Sequence, residues 1–438
     1  MFILYNLVVH VLVLCLLPLA LLISLLKPNI SREIMERLGL YSKEFADYLH
    51  ALKQAKKDII WLNAASVGEI IMVQPLIKEL GERYPNSGYI VVTNSCSGQQ
   101  MANKLFGAEK VILQPLDLPG IARRVARKVK PKLTIVVEFE MWPNIIQALS
   151  KVGSKIVLIN GAMDNKILRY YRLFPGLLKA TLNKLDFLGI KNETEKKIVD
   201  SLGVKPSKIR VTGDLKYDGS FKVMCKDDRK AIKDSLDIPE NAIVLVAGST
   251  HPGEEEIIFK VYIELKEEFK DLVLIIAPRQ IERVAEIRQL GEGYSLKPVE
   301  RTRLAAKDFK GTLGYEVVIL DTIGELADLY SISTIAFVGG SFAKIGGHNL
   351  LEPVFYGKPV LFGPNIFKVQ KAAEWFIEQG VGILVEDEED LKNKIRLLLR
   401  DGDRRQVIRE KAKELLEKEK GALKRSVIMI EELALTKE

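Results

Sequence analysis

At several points in this chain of 438 residues, charged and hydroxyl side chains follow directly on a short apolar run. Open α/β sheets place their chemistry at such strand ends. The first cluster, Asn63-Ala-Ala-Ser-Val-Gly-Glu69, follows the run Ile59–Leu62. Glu69 then falls in the first turn of a helix expected from Gly68 to Leu80. There it either takes a proton from an attacking hydroxyl or merely complements the helix dipole. The second cluster, Glu138-Phe-Glu-Met-Trp-Pro-Asn144, follows Leu133–Val137. Two carboxylates beside a Trp at a strand end are costly unless they are hydrogen-bonded to backbone or engaged with a substrate. If the strand continues, Glu138 and Glu140 point to opposite sides.

Further along, Thr212-Gly-Asp-Leu-Lys216 ends a strand with a cation, and Ala247-Gly-Ser-Thr-His-Pro-Gly253 is a glycine loop before a helix. Pro278-Arg279 and Asp321-Thr-Ile-Gly-Glu325 close two more apolar runs. The stretch from Phe337 to Gly363 organises this half of the chain: a strand ending at Val338, the pairs Gly339-Gly340 and Gly346-Gly347, an amphipathic turn from His348 to Tyr356, and a strand at Pro359–Phe362. Glycines let backbone N–H groups approach a ligand closely, and the following helix start favours a phosphate. Glu352, one turn in, suits sugar hydroxyls. The plain alternative is that the glycine pairs mark tight turns only.

These positions require strands to carry them. Apolar runs at 59–62, 89–93, 133–137, 156–159, 187–190 and 209–212 alternate with amphipathic segments, the rhythm of a doubly wound parallel sheet. A polar stretch from Gly213 to Lys230 reads as a linker, and the rhythm restarts at 243–247, 272–277, 317–320, 335–338 and 360–362. The fold class is therefore α/β with two Rossmann-like domains facing a cleft. Residues 27–222 form the first and 223–438, with the terminal helices, form the second.

Residues 1–26 contain no charged side chain, and a run of that length can cross a bilayer core of roughly 30 Å. Lys27, Arg32, Arg37 and Lys43 follow, so the positive-inside rule places the remainder on the cytoplasmic side. The alternative is a helix lying on the membrane or docked in the core. The net charge of +8 is spread along the chain without an aromatic-interleaved basic tract, which argues against nucleic acid and for anionic small substrates or an acidic membrane surface. Three scattered cysteines and four histidines give neither a disulfide framework nor a metal spacing. Asp401-Gly-Asp403 reads as a turn, so no metal site is expected.

Taken together, Ser66-Val-Gly-Glu69, the cluster Glu138 to Asn144, Gly248-Ser-Thr-His-Pro-Gly-Glu254, Pro278-Arg279 and Gly346-Gly-His-Asn-Leu-Leu-Glu-Pro353 resemble the Kdo transferases over nearly the whole chain. These are membrane-anchored GT-B glycosyltransferases of lipopolysaccharide synthesis. They move 3-deoxy-D-manno-octulosonic acid (Kdo) from CMP-Kdo to the phosphorylated lipid A precursor. The resemblance implies Glu69 as proton acceptor, with Glu138 and Lys216 stabilising the transition state. It assigns CMP contacts to Pro278, Arg279, Ile323, Gly324, Glu325, Asn349, Leu350, Leu351 and Glu352. CMP-Kdo is the donor substrate, no separate cofactor is implied, and the expected reaction is metal-independent displacement with inversion. Three positions depart from the pattern: Asn63 stands where relatives carry His, Ala162 where Arg is common, and Leu350 where Pro is frequent. The alternatives are another anchored GT-B enzyme using a UDP-sugar and a lipid acceptor, or a non-catalytic nucleotide-binding membrane protein.

Overall fold

The computed structural model describes residues 2–26, 28–163, 175–218, 223–305 and 314–433, with side chains of 17–29 and 175 outside that set. The chain divides into two compact units, Met1–Ser220 with Glu419–Glu438, and Phe221–Lys418. The expected linker is thus only partly described, and Asp164 and Lys27 lie outside the described residues.

In the first unit, seven strands form one parallel sheet: β1 (Asp58–Asn63), β2 (Ser87–Thr93), β3 (Val111–Leu113), β4 (Leu133–Val137), β5 (Lys155–Gly161), β6 (Phe187–Ile190) and β7 (Ile209–Val211). Their order is β3-β2-β1-β4-β5-β6-β7, and Leu62 of β1 pairs with Val91 on one side and Ile135 on the other. Both faces are covered, so alternate residues feed different cores. Ile60 and Leu62 meet Ile70, Val73 and Leu76 of the helix Val67–Arg83, while Ile59 and Trp61 meet Phe45 and Leu49 of the helix Lys43–Gln54. Strands buried on both faces read as unbroken apolar runs, which is why they were visible in the sequence. The strand order reverses about β1 and β4, so the loops behind these two strands flank the crevice of the sheet.

The second unit repeats the plan with β8 (Ile243–Thr250), β9 (Leu272–Pro278), β10 (Pro298–Glu300), β11 (Val317–Ile319), β12 (Ile335–Val338), β13 (Val360–Phe362) and β14 (Gly382–Leu384). The order is β10-β11-β9-β8-β12-β13-β14, which puts its switch point between β8 and β12. Each sheet has a register shift, one at Leu158/Gly161 where β5 pairs with β6 and one at Gly248/Thr250 where β8 pairs with β9. Each shift holds a non-glycine residue with positive φ, Asn160 at 57° and Ser249 at 56°. Such bulges re-aim single side chains beside active sites.

One boundary at the terminal segments changes. The sequence assigned everything after 222 to the second domain, but the helix Ala422–Glu431 buries Ala422, Val427, Met429 and Ile430 in the first unit's core. At the other end, Phe2–Leu26 is one helix of 25 residues. No helix among the described residues is long and apolar enough to cross a membrane. Its first turns fix it to the first unit by polar contacts: the Tyr5 hydroxyl donates to Asp117 Oδ2 at 2.7 Å, and Asn144 Nδ2 donates to Asn6 Oδ1 at 2.8 Å. Ile3, Leu7 and Leu14 on the same helix are exposed.

Candidate active site

The loop behind β1 is fixed by its own sequence. Ser66 has extended backbone and caps the helix Val67–Arg83, its Oγ accepting the Glu69 N–H at 3.3 Å. Glu69 answers with both oxygens: Oε2 accepts the Ala65 N–H at 2.8 Å and Oε1 accepts the Ser66 hydroxyl at 2.8 Å. This is the reciprocal logic of a capping box, displaced by one residue. The capping does not consume the carboxylate, since each oxygen keeps a second lone pair. Burial raises the pKa of Glu69, and the charges of Glu138 and Glu140 push the same way against the two hydrogen bonds. Three carboxylates therefore share the edge of this sheet.

Glu138 does not extend β4. Its φ of 56° turns the chain out of the strand at once, so the alternation expected for Glu138 and Glu140 does not apply. Glu138 Oε1 accepts from Lys191 Nζ at 3.2 Å and from Asn160 Nδ2 at 3.4 Å. Lys191 also pairs with Asp214 Oδ2 at 3.3 Å. Burial works against the Lys191 charge, but Asp214 and Glu138 outweigh it and hold the ammonium above its ordinary pKa. Asn160, fully buried in its bulge, uses Oδ1 to accept the Leu215 N–H at 2.9 Å, tying the loop behind β7 to the loop behind β4. Glu140 Oε2 accepts from Asn94 Nδ2 at 2.8 Å, and burial raises its pKa.

Lys216 sits apart from this network. It lies exposed in the short turn Leu215–Tyr217, its N–H donating to Asp214 Oδ1 at 3.0 Å, and its ammonium has no ion pair among the described residues. The cation that meets Glu138 is Lys191, which the sequence reading passed over. The signal was available, since Lys191 stands directly behind the apolar run Phe187–Ile190. Asn63 is buried with Oδ1 lacking a hydrogen-bond partner among the described residues.

In the second unit, the loops behind β8 and β12 lock onto one another through Glu254, whose side chain is 1% exposed. Its Oε2 accepts the N–H groups of His251 at 2.9 Å and Gly340 at 2.7 Å. Its Oε1 accepts those of Ser341, Phe342 and Ala343 at 2.9, 2.8 and 3.2 Å. The N–H groups of Gly346 and Gly347 both donate to the Gly340 carbonyl, at 3.0 and 2.7 Å. The glycine loop expected to present its amides to a phosphate thus spends these on an internal carboxylate and carbonyl. Gly340 is required for a further reason: its φ is 69°, and a Cβ there would lie 2.8 Å from His348 Cδ2.

His348 and His251 approach Nε2 to Nε2 at 2.8 Å with nearly parallel rings. One nitrogen must donate and the other accept, so the pair holds a single proton between them. Burial, then His251, Arg279 and Lys368, pushes His348 down to about 4. Burial also lowers His251, against the pull of Glu254 and Glu255. The Arg279 side chain is exposed beside them, while its N–H donates to the Thr250 carbonyl at 3.0 Å and fixes its place behind β9. Glu352, its pKa raised by burial against the opposing effects of Asn349 and Arg279, accepts from Asn349 Nδ2 at 3.1 Å. Asn349 Oδ1 in turn accepts the Leu351 N–H at 3.1 Å.

The remaining expected contacts divide by exposure. Ile323 is 89% exposed, and Gly324 beside it has φ 98° with open space where a Cβ would stand. Glu325 is paired with Arg301 at 2.9 Å. Pro278, Leu350 and Leu351 are buried. Arg279, Asn349, Glu352 and the histidine pair form one polar group that suits a phosphate with sugar hydroxyls nearby.

Residues 32–219 match the family model of 3-deoxy-D-manno-octulosonic-acid transferase (kdotransferase). The chain is 33% identical over 360 residues to a bifunctional glycosyltransferase/methyltransferase of Fusobacterium nucleatum, covering 82% of this chain and 54% of that protein, so it spans about half the length of that relative. A 3-deoxy-D-manno-octulosonic acid transferase of Haemophilus influenzae is 30% identical over 408 residues, 92% of each chain. Among solved structures, UDP-GlcNAc 2-epimerase from Neisseria meningitidis bound to UDP-GlcNAc superimposes with a TM-score of 0.58 at 15% identity, over 86% of this chain and 99% of that one. That is a likeness of fold alone.

Proposed function

The chain belongs to the 3-deoxy-D-manno-octulosonic acid (Kdo) transferase family of glycosyltransferases, and on that premise we propose that it transfers Kdo from CMP-Kdo to a hydroxyl of the phosphorylated lipid A precursor. The observation that carries the reading is Glu69: a carboxylate held by the Ala65 N–H and the Ser66 hydroxyl, partly desolvated and beside two further carboxylates. Those surroundings raise its affinity for a proton, as a general base requires.

In this reading the acceptor oxygen attacks the anomeric carbon of Kdo as its proton passes to Glu69. The bond from that carbon to the phosphate oxygen breaks, and CMP leaves with one more negative charge than it carried in the donor. One displacement inverts the anomeric centre and requires no covalent enzyme intermediate. Groups that bind the departing charge more tightly than the ground state accelerate the step. Arg279 is the second unit's candidate for that role, and it makes the step independent of a metal. The exposed Lys216 joins Arg279 in stabilising the departing negative charge, while Glu138, fixed by Lys191 and Asn160, stabilises the positive charge developing on the sugar. Pro278, Ile323, Gly324, Glu325 and residues 349–352 hold the nucleotide. The uncharged helix Phe2–Leu26 serves as the anchor that keeps the enzyme at the cytoplasmic face of the inner membrane, where its lipid acceptor lies.

The test incubates the full chain with tetraacyldisaccharide 1,4'-bisphosphate and either CMP-Kdo or a panel of UDP-hexoses, with and without EDTA. Mass spectrometry should find Kdo added only from CMP-Kdo and equally in both buffers. Transfer from a UDP-hexose instead, or activity abolished by EDTA and restored by magnesium, would overturn the proposal.

A further inference from the structure

A second cluster of charge lies at the opposite edge of the first sheet from Glu69, where β1 and β4 begin. A cavity of about 380 Å³ there is lined by Lys53, Lys56, Lys57, Arg127, Lys130 and Lys132, with Asp58 its single carboxylate. Asp58 is already engaged by Lys132 Nζ at 2.6 Å. These cations come from separate stretches of the chain, 53–57 and 127–132, and the fold gathers them where the helices Lys43–Gln54 and Pro119–Val129 both end.

The ordinary explanation is that cations complement the negative ends of helices. One or two would suffice, since the effect fades within the last turn. Six cations around one cavity repel one another, and the cavity's own carboxylate answers only one of them. The backbone adds an independent observation. Lys56 and Lys130 have φ of 51° and 52°, left-handed positions just past the two helix ends. Glycine is the favoured residue there, because a Cβ strains that conformation. Two lysines stand where glycine would fold more easily, and both line the same cavity. Strain of this kind, kept in place by the surrounding structure, collects at functional sites.

We propose that this cavity is an anion site distinct from the transfer chemistry, one that binds a compact, multiply charged phosphate such as pyrophosphate. The chemistry selects that class. Lysines are strongly hydrated point charges that respond to charge density, and the single arginine offers only one bidentate fork. The apolar lining is Ile59 and Val129, so there is no aromatic face on which a base could stack.

The experiment titrates the full chain in detergent with inorganic pyrophosphate by calorimetry, with sulfate as the comparison and with Lys56→Gly/Lys130→Gly as the diagnostic variant. The expected result is saturable binding of pyrophosphate, tighter than sulfate and weakening as salt screens the site. In the double variant the affinity should fall tenfold or more while the melting temperature stays level or rises, because glycine relieves the backbone. Lys53→Met/Arg127→Met, which removes charge at exposed positions without altering a left-handed residue, should lose affinity in the same way. A flat pyrophosphate titration, unchanged affinity in both variants, or a melting temperature that falls along with the affinity would overturn the proposal. So would binding confined to anionic lipid vesicles. The readout is binding, so the result is independent of whether Kdo transfer is confirmed.

Discussion

Replacing Lys191 with methionine tests how the first unit's carboxylates are held. Methionine nearly conserves volume, so the change removes charge and hydrogen bonds more than packing. The Lys191 side chain is 14% exposed and its partners Glu138 and Asp214 are 34% and 19% exposed, with contacts of 3.2 and 3.3 Å. Removing one partner from a fully buried ion pair costs about 3–5 kcal/mol, because the other charge is left uncompensated. Water reaches part of Glu138, so the expected loss is smaller, about 2–3 kcal/mol, or about 5–10 °C in melting temperature. The pH dependence gives a second signature. In the parent, Lys191 is held above its ordinary pKa, so its contribution is complete below that ordinary value and is lost as pH rises through the raised one. In the variant, Glu138 and Asp214 keep their charges and lose the cation they share. The deficit should be fully developed at neutral pH and shrink as pH falls into the carboxylate range. Urea unfolding at several pH values measures both effects, and adding Asp214→Asn should recover part of the loss. A Lys191→Met protein within about 0.5 kcal/mol of the parent at neutral pH would refute the reasoning.

Three further outcomes follow from the second unit. Arg279→Ala should weaken CMP binding by about 10- to 100-fold, the worth of a charge-assisted hydrogen bond; unaltered affinity in a calorimetric titration removes Arg279 from the site. Glu254→Ala strands five backbone donors and should destabilise the unit by about 3 kcal/mol or more, read by denaturant unfolding; a shift below about 1 kcal/mol would show that the loop is held by something else. His348 is depressed from 6.5 to about 4, so unfolded His348 takes up a proton before the folded form does. Stability should be complete above pH 6.5 and decline as pH falls toward 4. His348→Asn should flatten that decline, and an identical pH profile in the variant would contradict it.

The sequence disclosed what burial makes repetitive and concealed what depends on a partner. Strands such as Leu133–Val137 and Leu272–Pro278, buried on both faces, were legible as apolar runs. Three of the four edge strands, Val111–Leu113, Pro298–Glu300 and Gly382–Leu384, are three residues each and take their identity from the neighbour they pair with. Strand-end carboxylates were legible, yet Glu138 turns out of its strand by a left-handed residue that no local signal announces. The glycines at 339–340 and 346–347 were correctly located, but the acceptor of the Gly340 amide, Glu254, lies more than 80 residues away. The helix Ala422–Glu431 reads as amphipathic without saying which core it joins.

The central claim is that Glu69 removes the proton from the acceptor hydroxyl, and Glu69→Gln tests it most directly. Glutamine preserves an acceptor for the Ala65 N–H, so the helix start should stand while the base is lost. Single-turnover transfer from CMP-Kdo, with donor affinity measured in parallel, should show the chemical step slowed by about 10²–10⁴-fold at unchanged donor binding. Turnover equal to that of the parent would contradict the account.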